Sequence, residues 1–496
     1  MVDHFINGAA VSIGGVSSDL FNPSTGAKIG SVLNAGDQEL DAAARAAHEA
    51  FGSWSTTGLG YRAEILLACR QMIVEHRNAL IEICTVEAGK TFADASAEVD
   101  KGIEGLAYGA SVGSWLRSAT TQNVSTGIDV VDARYPVGVI CTVSPFNFPV
   151  MIPLVQCAMA LACGNTVIAK PSEKVPSAFR LIAELMHKAG LPAGVLNVVN
   201  GGREVVEAMI EHPKVAGLSF VGSTAVAKQL RIKGIENDKR VQAFGSGKNH
   251  MIILPDADLD MAADAAVSAA FGAAGQRCMA ISVVVAVGNI GDQLVSKIAE
   301  RIPSIKMGPA SDRDVQLGPV ISSESQQRIN HFIDGVEDSG GTLCVDGRSD
   351  DDQEGWLVGA TLVDHVKPGM PIYDNEVFGP VLSVVRASTY EEAMDIIASH
   401  PLGNGAAIFT RDGGAAKHYA DNVQAGMVGI NVPIPVPPWN HSFGGWKDSA
   451  FTDSKISGPE ALNFHTSVKA IVSRWPDPSS SKVDLGFLRN EGQLWS

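Results

Sequence analysis

From residue 165 onward the chain alternates short β-branched apolar runs with stretches whose apolar positions recur every three to four residues. The runs TVIAK (166–170), VLNVV (195–199), VAGLSFV (215–221) and RVQAF (240–244) read as strands, with helices predicted over 177–189, 204–212 and 224–233. Such alternation is satisfied by a parallel sheet covered on both faces, which holds ligands at the carboxyl ends of its strands. Helical patterns over 38–51 and 61–88 come earlier and are expected to pack on the same sheet. A second α/β region begins at Gly247 and runs to about Pro438. Within it, a small-residue helix pattern over 261–274 leads into the β-branched run 281–287. Two further stretches, 122–135 and 461–475, alternate apolar and polar residues and read as extended strands with few partners nearby in sequence.

Length and charge narrow this picture. A chain of 496 residues is too long for one core, and a hydrophobic content of 45% with 19% charged residues is ordinary for a soluble enzyme. The net charge of −16 argues against sequence-independent binding to nucleic acid or to an anionic membrane, both of which need a basic face. Residues 135–169 carry no charge and are numerous enough to span a bilayer. However, Pro136, Pro145, Pro149, Pro153 and Gly164 interrupt them, so a buried strand, loop and helix is the better reading. The amino terminus lacks the basic start and apolar stretch of a signal peptide. Seven widely spaced cysteines form no CxxC pair, which fits a reducing, cytoplasmic setting better than a disulfide framework or a zinc site. The twelve histidines show no HExxH spacing, so no metal is expected.

The candidate chemistry centres on Cys278, in FGAAGQRCMA at 271–280. It falls where a helix pattern gives way to a strand, a junction that presents side chains to a cleft. Small neighbours let a ligand approach the backbone, and the positive charge of Arg277 is expected to favour the thiolate, the form that attacks electrophiles. A buried structural cysteine is the commoner role for an arbitrary thiol.

Four ordered segments, SPFNFP (144–149), KPSE (170–173), GQRC (275–278) and EVFGP (376–380), resemble the aldehyde dehydrogenase superfamily, and the similarity extends from about Phe21 to Trp475. GQRCMA, GKNH (247–250) and NVPIPVP (431–437) look most like the branch that oxidises methylmalonate semialdehyde to a coenzyme A thioester. The resemblance implies an α/β fold with a Rossmann-type nucleotide domain (1–121 and 136–246), an α/β catalytic domain (247–438) and a β oligomerisation arm (122–135 and 461–475). A tail follows at 476–496. It implies a homodimer or homotetramer, with the active site between the two domains.

On the same basis Cys278 is the nucleophile, and Asn147 with the Cys278 amide stabilises the oxyanion. Phe146, Lys170, Glu173, Gly222, Ser223, Glu376 and Phe378 are implied to line the cofactor site. A carboxylate at Glu173 favours NAD over NADP, because it repels a 2′-phosphate. Gly222 and Ser223 open a helix whose amide-rich start suits a pyrophosphate, although Ala227 stands where a third glycine would complete the fingerprint. Arg277 is the leading partner for a substrate carboxylate, and Lys101 a weaker one.

One departure bears on the outcome of the reaction. Hydrolytic members carry ELGGK, whose Glu activates water, whereas this chain has Phe244 in FGSGK. Without that base, passage of the acyl group to coenzyme A is the favoured exit, and release of a free acid to water is the alternative. The segment SFGGWKD (442–448) looks more like the acid-producing group, so both exits stay open. Two decoys fail on context. GASVG (109–113) lacks the preceding strand of a hydrolase elbow, and Gly247 with Lys248 lacks the other residues of a P-loop.

Overall fold

The computed structural model describes residues 1–12, 15–348, 354–475 and 479. Of the tail at 476–496 only Ser479 is among them, so its expected role lies outside the described residues. Two large sheets organise the chain. In the first, the strands Leu196–Val198, Thr166–Lys170, Val139–Val143, Val215–Val221 and Arg240–Phe244 run parallel in that spatial order. Antiparallel strands close its edges, His4–Ile6 and Ala9–Val11 on one side and Ala450–Phe451 on the other.

The second sheet has the order Thr342–Val345, Thr361–Asp364, Val381–Ala387, Ile281–Val287, Asn249–Ile253, Gly405–Phe409, Met427–Ile430. All neighbours are parallel except the first pair. Each central strand is buried end to end or nearly so, which is why these segments read as continuous apolar runs rather than as alternations.

The uncharged stretch 135–169 is the strand Val139–Val143, the helix Met151–Ala162 and the strand Thr166–Lys170, interior almost throughout. Among the described residues no helix is long and apolar enough to cross a membrane. The pattern over 61–88 is two helices, Leu59–Glu75 and Arg77–Ala88, because the chain breaks at His76. The pattern over 261–274 ends early: the helix is Leu259–Phe271, and Ala273 and Ala274 have φ of 53° each, a left-handed turn no helix continues through.

The two alternating stretches also differ from expectation. Residues 122–135 are not one strand but parts of a hairpin, Ala119–Ser125 and Ile128–Pro136, turned at Gly127. The stretch 461–475 starts as a short helix, Ala461–His465, before the strand Thr466–Arg474. That strand pairs with Ile128–Pro136 in the same chain, so each stretch supplies the partner the other lacks locally.

Candidate active site

The carboxyl ends of Val215–Val221 and Arg240–Phe244 face the loop that precedes Ile281–Val287 across a cleft. A cavity of about 280 Å³ occupies it, with Cys278, Phe244, Val221 and Asn404 among its lining. Cys278 is half-buried, whereas Cys69, Cys84, Cys141, Cys157 and Cys163 are sealed in the core. Of the six half-buried or buried thiols, Cys278 alone lines this cavity.

The loop that carries Cys278 is held in a costly shape. After the helix Leu259–Phe271 come Ala273, Ala274 and Gly275, all with positive φ. Gly275 has no substitute, since a Cβ there would lie 2.0 Å from the Gly379 carbonyl oxygen. Gln276 then anchors the loop, its Oε1 accepting from the Ile321 amide at 3.1 Å and its carbonyl from Asn147 Nδ2 at 3.0 Å. Asn147 therefore lies against the loop two residues before the thiol, in an adjoining small void rather than on the main cavity wall. An amide nitrogen carries two hydrogens, so this bond orients the group and leaves one to donate elsewhere.

The charge of Arg277 favours the thiolate as expected, but it does not decide the balance: burial first, then the carboxylate of Glu376, push the thiol up to about 12. The amides of Cys278 and Met279 and the charge of Arg277 oppose this and are outweighed. A physical reason is visible in Asp94, whose Oδ1 accepts from Arg277 Nη2 at 2.5 Å and offsets its charge.

Asp94 belongs to a group that motif reading missed. The helix Phe92–Ser111 starts at Thr91, whose hydroxyl accepts from the Asp94 amide, and it turns a charged stripe toward the cavity. Asp94 Oδ2 also accepts from the Ala273 amide at 3.2 Å, tying the strained turn to this helix. Glu98 is fully buried and paired with Lys90, and its Oε1 accepts from the Val150 amide at 2.9 Å. Lys101 is exposed and paired with Glu104 at 2.5 Å. Each cation of the cavity thus already has a carboxylate.

The other expected residues are distributed along the cleft. Lys170 is buried, and its Nζ donates to Gly201 O at 2.9 Å and to Glu173 at 3.2 Å. Glu173 borders a larger cavity, about 830 Å³, with Gly202, Val205 and the start of the helix Asp37–Trp54. Ser223 is the residue before the helix Thr224–Glu236, and a Cβ on Gly222 would lie 2.4 Å from the tip of the Phe220 ring, so any side chain there would displace that ring. Phe146 and Phe378 stack edge to face at 5.8 Å. Glu376 is bound by the Gly247 amide at 2.9 Å, and burial raises its carboxyl above the usual range. Lys248, next in sequence, donates to the carbonyls of Ile372 and Asn375, and burial lowers it to about 8.

Two doubly covered sheets with a half-buried thiol in the cleft between them define an α/β protein with its candidate site between the sheets. The aldehyde dehydrogenase family model matches residues 14–471, and the chain belongs to the aldehyde dehydrogenase family. It is 44% identical over 484 residues to the malonate-semialdehyde dehydrogenase of Pseudomonas aeruginosa, covering 97% of each chain. The crystal structure of methylmalonate-semialdehyde dehydrogenase from Oceanimonas doudoroffii superposes with a TM-score of 0.95 at 43% identity, over 96% of this chain and 99% of that one. A Sinorhizobium meliloti protein provisionally assigned the same activity, solved in complex with NAD, gives 0.95 at 45% identity, over 97% and 99%.

Proposed function

We propose that this enzyme oxidises a small carboxylated aldehyde, malonate or methylmalonate semialdehyde, with NAD, and passes the acyl group to coenzyme A. The observation that carries this is Cys278, a half-buried thiol on a cavity whose cations stand on one wall and whose remaining lining is mostly apolar. The relatives named for semialdehyde oxidation support the substrate class.

The 830 Å³ cavity beside Glu173 and the open helix start at Ser223 suit a dinucleotide, with Lys170 and Glu173 at its ribose and Phe146, Phe378 and Glu376 farther along. When bound, the nicotinamide supplies the two-electron acceptor for the aldehyde hydrogen. The chain's own part is nucleophilic. Cys278 Sγ releases its proton to water and bonds to the aldehyde carbon as the C=O π bond opens, and the free hydrogen of Asn147 Nδ2 with the Cys278 amide stabilises the resulting oxyanion. Oxidation leaves a thioester on Sγ. The sulfur of coenzyme A then bonds to that carbon, the carbon–Sγ bond breaks, and the thiol proton of coenzyme A ends on the departing Sγ.

Phe244 favours that exit, since it places a ring at the cavity where a base for water would be needed. The carboxylates of the charged wall, Asp94, Glu98 and Glu104, are all ion-paired. In this reading residues 1–121 and 136–246 hold the cofactor, residues 247–438 carry the thiol, and the exposed apolar edge with Val468 and Val472 joins subunits into a dimer or tetramer.

The test mixes enzyme, NAD and semialdehyde with and without coenzyme A and follows reduced cofactor. A burst of about one equivalent that turns over only with coenzyme A supports the reading. Steady turnover in water with free acid as product overturns the exit and leaves an acid-producing enzyme.

A further inference from the structure

The carbonyl oxygen of Cys278 is gripped from two sides. Asn249 Nδ2 and Asn404 Nδ2 each donate to it at 2.9 Å. Asn249 is wholly committed: its Nδ2 also donates to Ala280 O at 2.8 Å, and its Oδ1 accepts from the Gly405 amide at 2.8 Å. Asn404 Nδ2 further contacts Met279 Sδ at 3.2 Å, and both asparagines are buried. A carbonyl oxygen has two lone pairs, and these two side-chain donors together restrict its direction more closely than either alone.

A trans peptide is planar, with its C=O and N–H pointing in opposite directions. Fixing the Cys278 oxygen therefore fixes where the Met279 N–H points. That amide acts on the Cys278 sulfur together with the Cys278 N–H itself, and both favour its charged form. Donors to the carbonyl also polarise the peptide and strengthen the N–H as a donor.

We propose that Asn249, assisted by Asn404, is a positioning residue for the nucleophile: gripping the Cys278 carbonyl sets the plane of the 278–279 peptide and aims the Met279 N–H at Sγ. The inference rests on the reading of Cys278 as the attacking thiol. The charged groups that face the sulfur are Glu376, from the loop before Val381–Ala387, and Arg277, its neighbour. The cavity's other charged groups, Lys90, Asp94, Glu98, Lys101 and Glu104, are ion-paired. Of the groups that favour the thiolate, only the Met279 N–H shares a peptide plane with the carbonyl these asparagines grip.

The experiment follows iodoacetamide modification of Cys278 in the intact enzyme, with NAD present, by mass spectrometry of its peptide across pH 6 to 11. Exposed Cys344 serves as internal reference. In Asn249→Ala and in Asn404→Ala the midpoint is expected to move alkaline by about one pH unit, a tenfold loss of rate near neutrality, while the limiting rate at high pH holds. Asn404→Asp, which keeps the shape and turns a donor into an acceptor, is expected to shift it at least as far and covers the case in which Asn249→Ala fails to fold. An unchanged midpoint with a lower limiting rate, as simple loosening of the loop would give, overturns the proposal. The underlying reading has its own check: if Cys278→Ala retains the burst of reduced cofactor, Cys278 is not the nucleophile, whatever the asparagine variants do.

Discussion

The two walls of the cavity around Cys278 are built on opposite principles. One wall, the helix Phe92–Ser111 with Lys90 and Arg277, is charged and internally neutralised, each cation holding a carboxylate. The other, with Phe244, Ile434, Phe443 and Ile456, is apolar. A substrate carboxylate can join the first wall only by exchange, and the strength of each existing pair decides where. The exposed Lys101–Glu104 pair contributes roughly 0–1 kcal/mol and is readily displaced. The buried Lys90–Glu98 pair cannot be opened, because stranding either charge costs about 3–5 kcal/mol. Arg277 lies between these extremes, half-exposed, with a guanidinium that has further N–H groups to offer beside the one Asp94 takes. Under the proposed function, specificity belongs to the charged wall, and exclusion of water as a reactant to the apolar one.

The sharpest way to break this comparison is to remove the sulfur both walls serve. Cys278→Ala is expected to lose at least about 10⁴-fold in turnover, with no burst of reduced cofactor in a stopped-flow record. Asn147→Ala should lose about 10²–10³-fold in kcat, the size of one missing oxyanion donor, with KM little changed. A loss confined to KM would place Asn147 in binding alone.

Within the charged wall, Glu98→Ala strands Lys90 in the interior and leaves the Val150 amide without its acceptor. The unfolding free energy is expected to fall by about 3–5 kcal/mol in a urea titration. A loss below about 1 kcal/mol would show that water reaches Lys90, and that this pair too is open to exchange.

Arg277 and Lys101 separate by substrate charge. Arg277→Ala should raise KM for acidic aldehydes by about 10- to 100-fold, the scale of charge-assisted hydrogen bonds, and leave neutral aldehydes within a few fold. Lys101→Ala, which removes only an exposed point charge, should act in the same direction by less than about fivefold. Equal losses on acidic and neutral aldehydes in Arg277→Ala would mean that the guanidinium shapes the loop and does not bind the substrate.

Much of this architecture was legible in advance, for reasons that differ by region. The parallel strands announced themselves because burial on both faces demands unbroken apolar runs, as in TVIAK and ISVVVAV. Cys278 stood out because a motif concentrates its signal in contiguous residues. Lys101 and Arg277 of the charged wall were read in advance, but Asp94 and Glu98 escaped notice because each pairs with a residue outside its helix. Their four-residue spacing, which puts both on one helix face, was the available clue. The state of the thiol was hidden for a deeper reason: Arg277 is adjacent in sequence, but burial and Glu376, which outweigh it, are set by distant segments. The hairpin at 119–136 escaped because a turn at Gly127 carries no period of its own.

The smallest expected effect concerns the turn that joins the two walls. Ala273 and Ala274 hold left-handed backbone at about 1–2 kcal/mol each, a conformation glycine adopts freely but with a larger entropy loss on folding. Ala273→Gly should therefore stabilise the protein slightly, by less than about 1 kcal/mol, measured as a small rise in melting temperature. Its amide still reaches Asp94, so the tether to the charged wall survives. What is lost is stiffness: the methyl groups restrict a loop that must hold Cys278 within reach of Asn147, and small misplacements of reacting groups are costly. Turnover is expected to fall as stability rises. A variant that gains stability and keeps full turnover would show that the hydrogen bonds of Asp94, Gln276 and Asn249 place the thiol by themselves, and that the strained alanines add nothing to it.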